Sequence, residues 1–436
     1  MAYDKVRFIG YAIPTTPADM VAVGDPNGTG AVAGTYRAAE DVQVDIQARA
    51  KVLKSAVDTA KAAAPDDPSV LNVFVAPEFF WHGTMGPYVH KPGEEDPADA
   101  ILAVLQEQFP AEAYPNFLLV LGTVISAEVA DIDAVFASTS TTVRNDIVKA
   151  LGEGWIASSG PLSLVIFDMF VNFAKNGHAY PSVEVRNRAL VLSSTPIDGV
   201  TAGLGVQALT TEKYYDSNED FLLWDVTGKP VITEQMTAYP VLDTSAGDFK
   251  VDAFDPYAIF TVPNGDQPIT VGVEICLDHS DHRLRESAKT SPWPSAASGI
   301  DLHLIPSCGM QLHPSSVAAK AGGWAFNTDG QYVLGATAQA GDAQRGVVAG
   351  VDSIYTDYAD AASSAYGAHT QLARVKTEAV GADENAPGSH NATFQAAPDV
   401  AVTVLEVEAA PNHDEFFAGG PGVIHIYGKD SPLPLR

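Results

Sequence analysis

Val70–Ala76 (VLNVFVA) is a short, almost unbroken apolar run in a chain of 436 residues. With only Asn72 to break it, the run has no solvent-facing side. It fits a strand covered on both faces, so its sheet needs packing partners on each side. The segment before it has a different period. Over about 39–64, Ile46, Ala50, Leu53, Val57, Ala60 and Ala64 step by four and three, while Lys51, Lys54, Asp58 and Lys61 fall elsewhere. That is an amphipathic helix, and Pro65-Asp66-Asp67-Pro68 ends it. Lys5–Ile13 reads as an earlier strand, and residues 14–37, rich in Pro, Gly, Thr and Ala, as a loop. Strand, helix and strand in that order open an α/β fold.

The rest of the chain continues in kind. Pro97–Gln108 is a helix, Phe117–Ile125 another buried strand, and Val183–Ser193 a further strand. Residues 126–182 are weakly organised, with Thr142–Leu151 and Leu162–Ala174 as helices. They form an insertion suited to a lid or a subunit contact. Ala258–Val262 and Ile269–Ile275 form a strand pair around the turn Asn264-Gly265-Asp266. Asp281–Lys289 follows as a helix, Gly299–Ser307 as a strand, Val317–Thr328 as a helix, and Gln331–Ala338 and Gly350–Tyr355 as strands. Residues 357–400 have no strong period, and Val402–Val407 and Val423–Tyr427 are terminal strands. Neither a repeat nor a linker divides the chain. The expected organisation is one domain over 1–436, with a core at about 5–355 and a C-terminal extension at about 356–436.

Charge narrows the partners. The formal charge is −29, from 54 acidic and 25 basic residues. Such a field repels phosphate backbones and anionic lipid, so neither nucleic acid nor membrane is expected as a partner. Trp155–Ala174, the most apolar long stretch, holds Gly160, Pro161, Asp168 and Asn172 and makes a poor membrane span. The N-terminus lacks the basic and apolar regions of a signal peptide, so a cytoplasmic location is expected. Cys276 and Cys308, the two cysteines, make no disulfide framework.

Cys276 ends the alternating run Ile269-Thr-Val-Gly-Val-Glu-Ile275, where a polar stretch (Asp278, His279, Ser280, Asp281, His282, Arg283) begins. A thiol at the end of a buried strand is held in place by that strand, and the next turn offers backbone N–H groups, as a nucleophile requires. A free cysteine is also commonly a small buried hydrophobe. Glu78 stands just beyond the end of Val70–Ala76, and Lys213 lies in the loop after a strand.

In context these three residues resemble the motifs of the nitrilase superfamily of carbon–nitrogen hydrolases. Phe74-Val-Ala-Pro-Glu78-Phe-Phe80 is similar to the glutamate motif and Val271-Gly-Val-Glu-Ile-Cys276-Leu-Asp278 to the cysteine motif. Thr211-Glu-Lys213-Tyr-Tyr215 is a looser match to the lysine motif. Gly122-Thr123, Arg186–Val191 and Asp301–Ser307 resemble supporting strands. The resemblance implies a four-layer α-β-β-α sandwich, an active homodimer or larger homo-oligomer, and hydrolysis of a small amide without metal or other cofactor. It makes Glu78 the general base and acid, Lys213 the oxyanion stabiliser and Cys276 the nucleophile. Phe80, Leu277, Asp278 and Glu219 are candidate substrate contacts. Glu219 is the nearest candidate for a second glutamate found in many members, with Glu212 and Glu234 as alternatives. Nitrile-cleaving members typically carry Trp-Glu after the cysteine, so Leu277-Asp278 favours an amide. The intervals Glu78–Lys213 and Lys213–Cys276 are both long for the family, so insertions flank the catalytic residues.

The same triad would serve a nitrile hydrolase or a thioester-based N-acyltransferase, and an inactive scaffold could keep the fold. His279, Asp281 and His282, with His303 and His313, raise a metal site, but their spacing matches no strong zinc pattern. Gly-x-Ser-x-Gly is absent, which disfavours a serine hydrolase.

Overall fold

The computed structural model describes residues 2–15, 18–22, 32–35, 37–83, 86–91, 93–129, 183–199, 205–213, 256–280, 282–286, 299–330, 347–348, 368–380, 388, 390–395, 402–417 and 420–436. The expected segments 142–151, 162–174, 331–338 and 350–355 lie outside these residues. In chain order the strands and helices begin with β1 (Lys5–Ala12), β2 (Ala18–Ala22), β3 (Val32–Thr35), α1 (Val42–Ala63), β4 (Val70–Ala76), β5 (Tyr88–His90) and α2 (Pro97–Gln108). They continue with β6 (Phe117–Val129), β7 (Val183–Gly199), β8 (Val206–Glu212), β9 (Ile259–Val262), β10 (Ile269–Val273), α3 (Leu277–Ser280) and α4 (Arg283–Glu286). The remainder is β11 (Ile300–Ser307), β12 (Ala319–Asp329), β13 (Val347–Val348), β14 (His369–Thr377), β15 (Thr393–Phe394), β16 (Val402–Glu406), β17 (Val423–Tyr427) and β18 (Leu433–Pro434).

The architecture is mixed α/β, built on one large mixed sheet with the path β13-β14-β12-β11-β10-β9-β7-β6-β4-β1-β17-β16. The long β7 joins its halves. Its first part pairs with β6, and Asp198 and Gly199 at its end pair with β9. The two halves face each other across an apolar core. Val6, Phe8, Val73, Val75, Leu118 and Val120 come from one half, and Val271, Leu302, Leu304, Trp324 and Phe326 from the other. The Phe8 ring lies 5.2 Å from that of Phe326 and 5.6 Å from that of Trp324. Alternate residues of the same strands, Ile9, Phe74 and Leu119, point the other way, against Ile46, Leu53 and Val57 of α1 and Ile101 and Leu105 of α2. β4 is therefore covered on both faces, as its composition demands. Truncating a residue such as Leu53 to alanine in this layer would cost about 2–5 kcal/mol.

Local chemistry sets the helix starts. Asp41 caps α1 by accepting from the N–H groups of Gln43 and Val44 at 2.9 and 3.1 Å. Asp96 caps α2 ahead of Pro97 and also pairs with Arg188. No helix among the described residues is long and apolar enough to cross a membrane.

Three expectations change. Val317–Thr328 is mostly strand, not helix: β12 runs parallel beside β11, with Leu302 opposite Trp324 and Leu304 opposite Phe326. Gly322 has φ +82°, which no helix accommodates, and a Cβ on Gly323 would meet the Asp301 carbonyl oxygen at 2.8 Å. The 14–37 loop contains the β2–β3 ribbon. The stretch 357–400 holds β14, antiparallel to β12. The C-terminal strands are also built into the sheet, with β17 antiparallel to β1.

Candidate functional site

Glu78, Lys213 and Cys276 follow β4, β8 and β10 respectively, and the fold brings the three together. Glu78 is fully buried, and three bonds fix the backbone around it. Its N–H donates to the Ser307 carbonyl at 3.3 Å, its carbonyl accepts from Thr15 Oγ1, and the Phe79 N–H donates to Thr123 Oγ1 at 3.0 Å. Gly122 permits this turn, because a Cβ there would stand 2.5 Å from Phe80 Cβ. Lys213 Nζ donates to Glu78 Oε1 at 2.8 Å, with side-chain exposures of 1% and 0%. The ammonium also lies 5.7 Å from the centre of the Phe79 ring, a cation–π contact.

Cys276 sits in a sharp turn. Its N–H donates to the Pro306 carbonyl at 3.2 Å, and its carbonyl accepts the His279 N–H at 2.8 Å. Its φ is +46°, and that of Phe79, next to Glu78, is +58°. Left-handed backbone at a non-glycine residue costs of order 1–3 kcal/mol and collects at functional sites. The thiol donates toward the Cys308 carbonyl oxygen, 3.9 Å from Sγ, and stands within electrostatic reach of the Glu78 carboxylate. Burial, and next the Glu78 charge, push the thiol well above its usual pKa, while Lys213 opposes them. At neutral pH the sulfur therefore holds its proton, with the Glu78 carboxylate beside it.

Asn187 belongs to the site although only the strand around it drew notice in the sequence. Its Nδ2 donates to Glu78 Oε1 at 3.0 Å, and its carbonyl accepts the Lys213 N–H at 2.7 Å. One residue of β7 thus orients the Glu78 carboxylate and anchors the Lys213 backbone. Within the strand Asn187 is one polar residue among several, flanked by Arg186 and Arg188, so its sequence context does not single it out.

The candidate substrate contacts separate. The Phe80 ring lies in the helix–sheet core, 4.9 Å from Phe417 and 5.2 Å from Trp81, so Phe79 rather than Phe80 meets Lys213. Leu277 is partly exposed and Asp278 is buried, both in the turn after Cys276. Glu212 forms a two-pronged pair with Arg186, at 2.8 and 2.7 Å. Glu219 and Glu234 lie outside the described residues.

Of the histidine-rich turn, His279 joins His303 around the buried carboxylate of Glu274. His279 Nδ1 and His303 Nε2 are each 2.8 Å from Glu274 Oε2. The three ligand-type atoms lie within 4.8 Å of one another, close enough for a metal ion. Proton placement opposes one. The His313 N–H donates to His279 Nε2 at 3.1 Å and the Ala318 N–H to His303 Nδ1 at 3.2 Å. Those backbone N–H groups need a lone pair on the ring nitrogens turned away from Glu274, so a metal at the nitrogens facing Glu274 would require the opposite tautomer of both rings.

No protein-family model matches the chain, and no curated protein matches it in sequence.

Proposed function

We propose that the chain is a carbon–nitrogen hydrolase of the nitrilase type that cleaves a small amide through a cysteine thioester. The observation that carries this reading is the convergence of Glu78, Lys213 and Cys276 from three strand ends, with Glu78 hydrogen-bonded to Lys213 and its charge acting on the Cys276 thiol. Glu78 takes the thiol proton as Cys276 Sγ attacks the carbonyl carbon. The Lys213 ammonium and the backbone N–H after Cys276 receive the developing oxyanion. Glu78 then passes the proton to the departing amine, leaving a thioester on Cys276. Water, deprotonated by Glu78, attacks that thioester; the acid departs and the thiol regains its proton. No step needs a metal.

The sheet halves packed face to face, with α1 and α2 outside one of them, support a four-layer α-β-β-α sandwich in which helices also cover the second half. A homodimer or larger assembly in the cytoplasm, acting on a small-molecule amide, completes the proposal. Leu277-Asp278 after the nucleophile favours amides over nitriles.

The test is ammonia and amine release across amides, nitriles, carbamoyl compounds and acylated amines, with Cys276→Ala as control. Mass spectrometry of a quenched reaction should find an acyl adduct on Cys276. Full activity of Cys276→Ala would sink the mechanism, and nitrile turnover without amide turnover would overturn the substrate class.

A further inference from the structure

We infer that Glu274 is a positioning residue for Cys276, acting through His279 to hold the strained turn that keeps the sulfur against Glu78. The inference rests on the proposed reading of Cys276 as the nucleophile. Glu274 stands two places before Cys276 and is 3% exposed. Its Oε2 takes the His279 and His303 ring contacts at 2.8 Å each, and its Oε1 accepts the Leu284 N–H at 2.8 Å. His279 in turn bonds the Cys276 carbonyl through its N–H at 2.8 Å and receives the His313 N–H on Nε2 at 3.1 Å.

One carboxylate thus ties together the end of β10, α3, the start of α4, the middle of β11 and the segment around His313. Cys276 lies inside this clamp. Its positive φ is an unfavourable conformation that relaxes unless its surroundings enforce it. The His279 N–H bond to the Cys276 carbonyl closes the turn directly, and the His279 ring cannot move without giving up Glu274. A packing role alone would not require a carboxylate here. The His279 ring and the Leu284 N–H bond its two oxygens, with the His303 ring nitrogen also 2.8 Å from Oε2, and a carboxamide would turn an N–H₂ group toward at least one of these partners.

The test measures the coupling between Glu78 and Cys276, which needs no substrate. Iodoacetamide alkylation of Cys276 is followed against pH, with peptide mass spectrometry separating it from Cys308. Glu78→Gln should move the Cys276 profile to lower pH. In the Glu274→Gln background that displacement should shrink to less than half. Amide turnover by Glu274→Gln should show kcat lowered tenfold or more with KM within twofold. A displacement of undiminished size in the Glu274→Gln background overturns the clamp. No displacement in the otherwise unaltered protein sinks the Glu78–Cys276 reading itself, a separate failure. If Glu274→Gln does not fold, the same cycle runs on His279→Leu and His279→Asn. The asparagine keeps a donor for Glu274 and should retain part of the coupling, and undiminished coupling in the leucine variant overturns the inference.

Discussion

Lys213 Nζ lies 2.8 Å from Glu78 Oε1 with both side chains shielded from water, so each charge depends on the other for compensation. Breaking a buried pair by removing one partner typically costs about 3–5 kcal/mol, because the remaining charge stays desolvated. Lys213→Met should therefore lower stability by about that amount in urea denaturation. Glu78→Gln with Lys213→Met should recover part of the loss, since neither charge is then stranded. All these variants should lose turnover. A Lys213→Met protein as stable as the parent would mean that the pair is not buried in solution.

The turn at Cys276 makes a prediction about glycine. At ordinary φ, glycine is less stable than alanine, but the left-handed region reverses that order by about 1 kcal/mol. Cys276 has φ +46°. Cys276→Gly should thus match or exceed Cys276→Ala in stability, although neither forms a thioester. Thermal melts of the two inactive variants decide this, and a clearly less stable glycine variant would argue against a strained nucleophile.

Part of this site is legible in the sequence because Glu78 and Cys276 directly end patterned strands, whereas the stretch before Lys213, expected as a loop, is strand β8. The apolar run into Glu78 and the alternation into Cys276 carry both type and boundary. Asn187 was hidden because its partners, Glu78 and the Lys213 backbone, are remote in the chain and nothing local marks a side chain that will meet them. The segment of β12 carries a helical expectation for a similar reason. Val317, Lys320 and Trp324 keep helical spacing, and only pairing with β11 and the φ of Gly322 impose the strand. Glu274 shows the same limit, since its two histidine contacts come from α3 and β11.

Asp329 organises the loop next to Cys276. Its Oδ2 accepts from Ser307 Oγ at 2.9 Å and from the N–H groups of Gly309 and Met310 at 2.6 and 2.7 Å. Those bonds hold the segment whose Cys308 carbonyl faces Cys276 Sγ. A hydrogen bond to a charged group contributes about 1.5–3 kcal/mol. Asp329→Asn places an N–H₂ group among donors or turns it away, so it should cost at least about 2 kcal/mol by the same reasoning. Urea denaturation checks the stability, and turnover should fall even under conditions where the variant is fully folded.

Acid should destabilise the protein in two stages. Burial lowers the pKa of His279 and His82 below the usual 6.5, and that of His313 to about 4. Below about pH 6.5 the unfolded chain binds protons that the folded chain refuses, so stability falls as pH falls, by up to about 1.4 kcal/mol per pH unit for each such group. Glu274 adds a second stage. Burial alone would raise its carboxyl, but His279 and His303 outweigh it and bring the group from 4.5 to about 2. Its stabilising contribution is complete above about pH 4.5 and drains away between there and about pH 2. Urea denaturation at pH 8, 7, 6, 5 and 4 should show a level region and then a decline starting near 6.5. In Glu274→Gln the additional loss below about pH 4.5 should be smaller than in the parent. A stability that stays level from pH 8 to pH 4 would mean that these histidines are not buried in their neutral form.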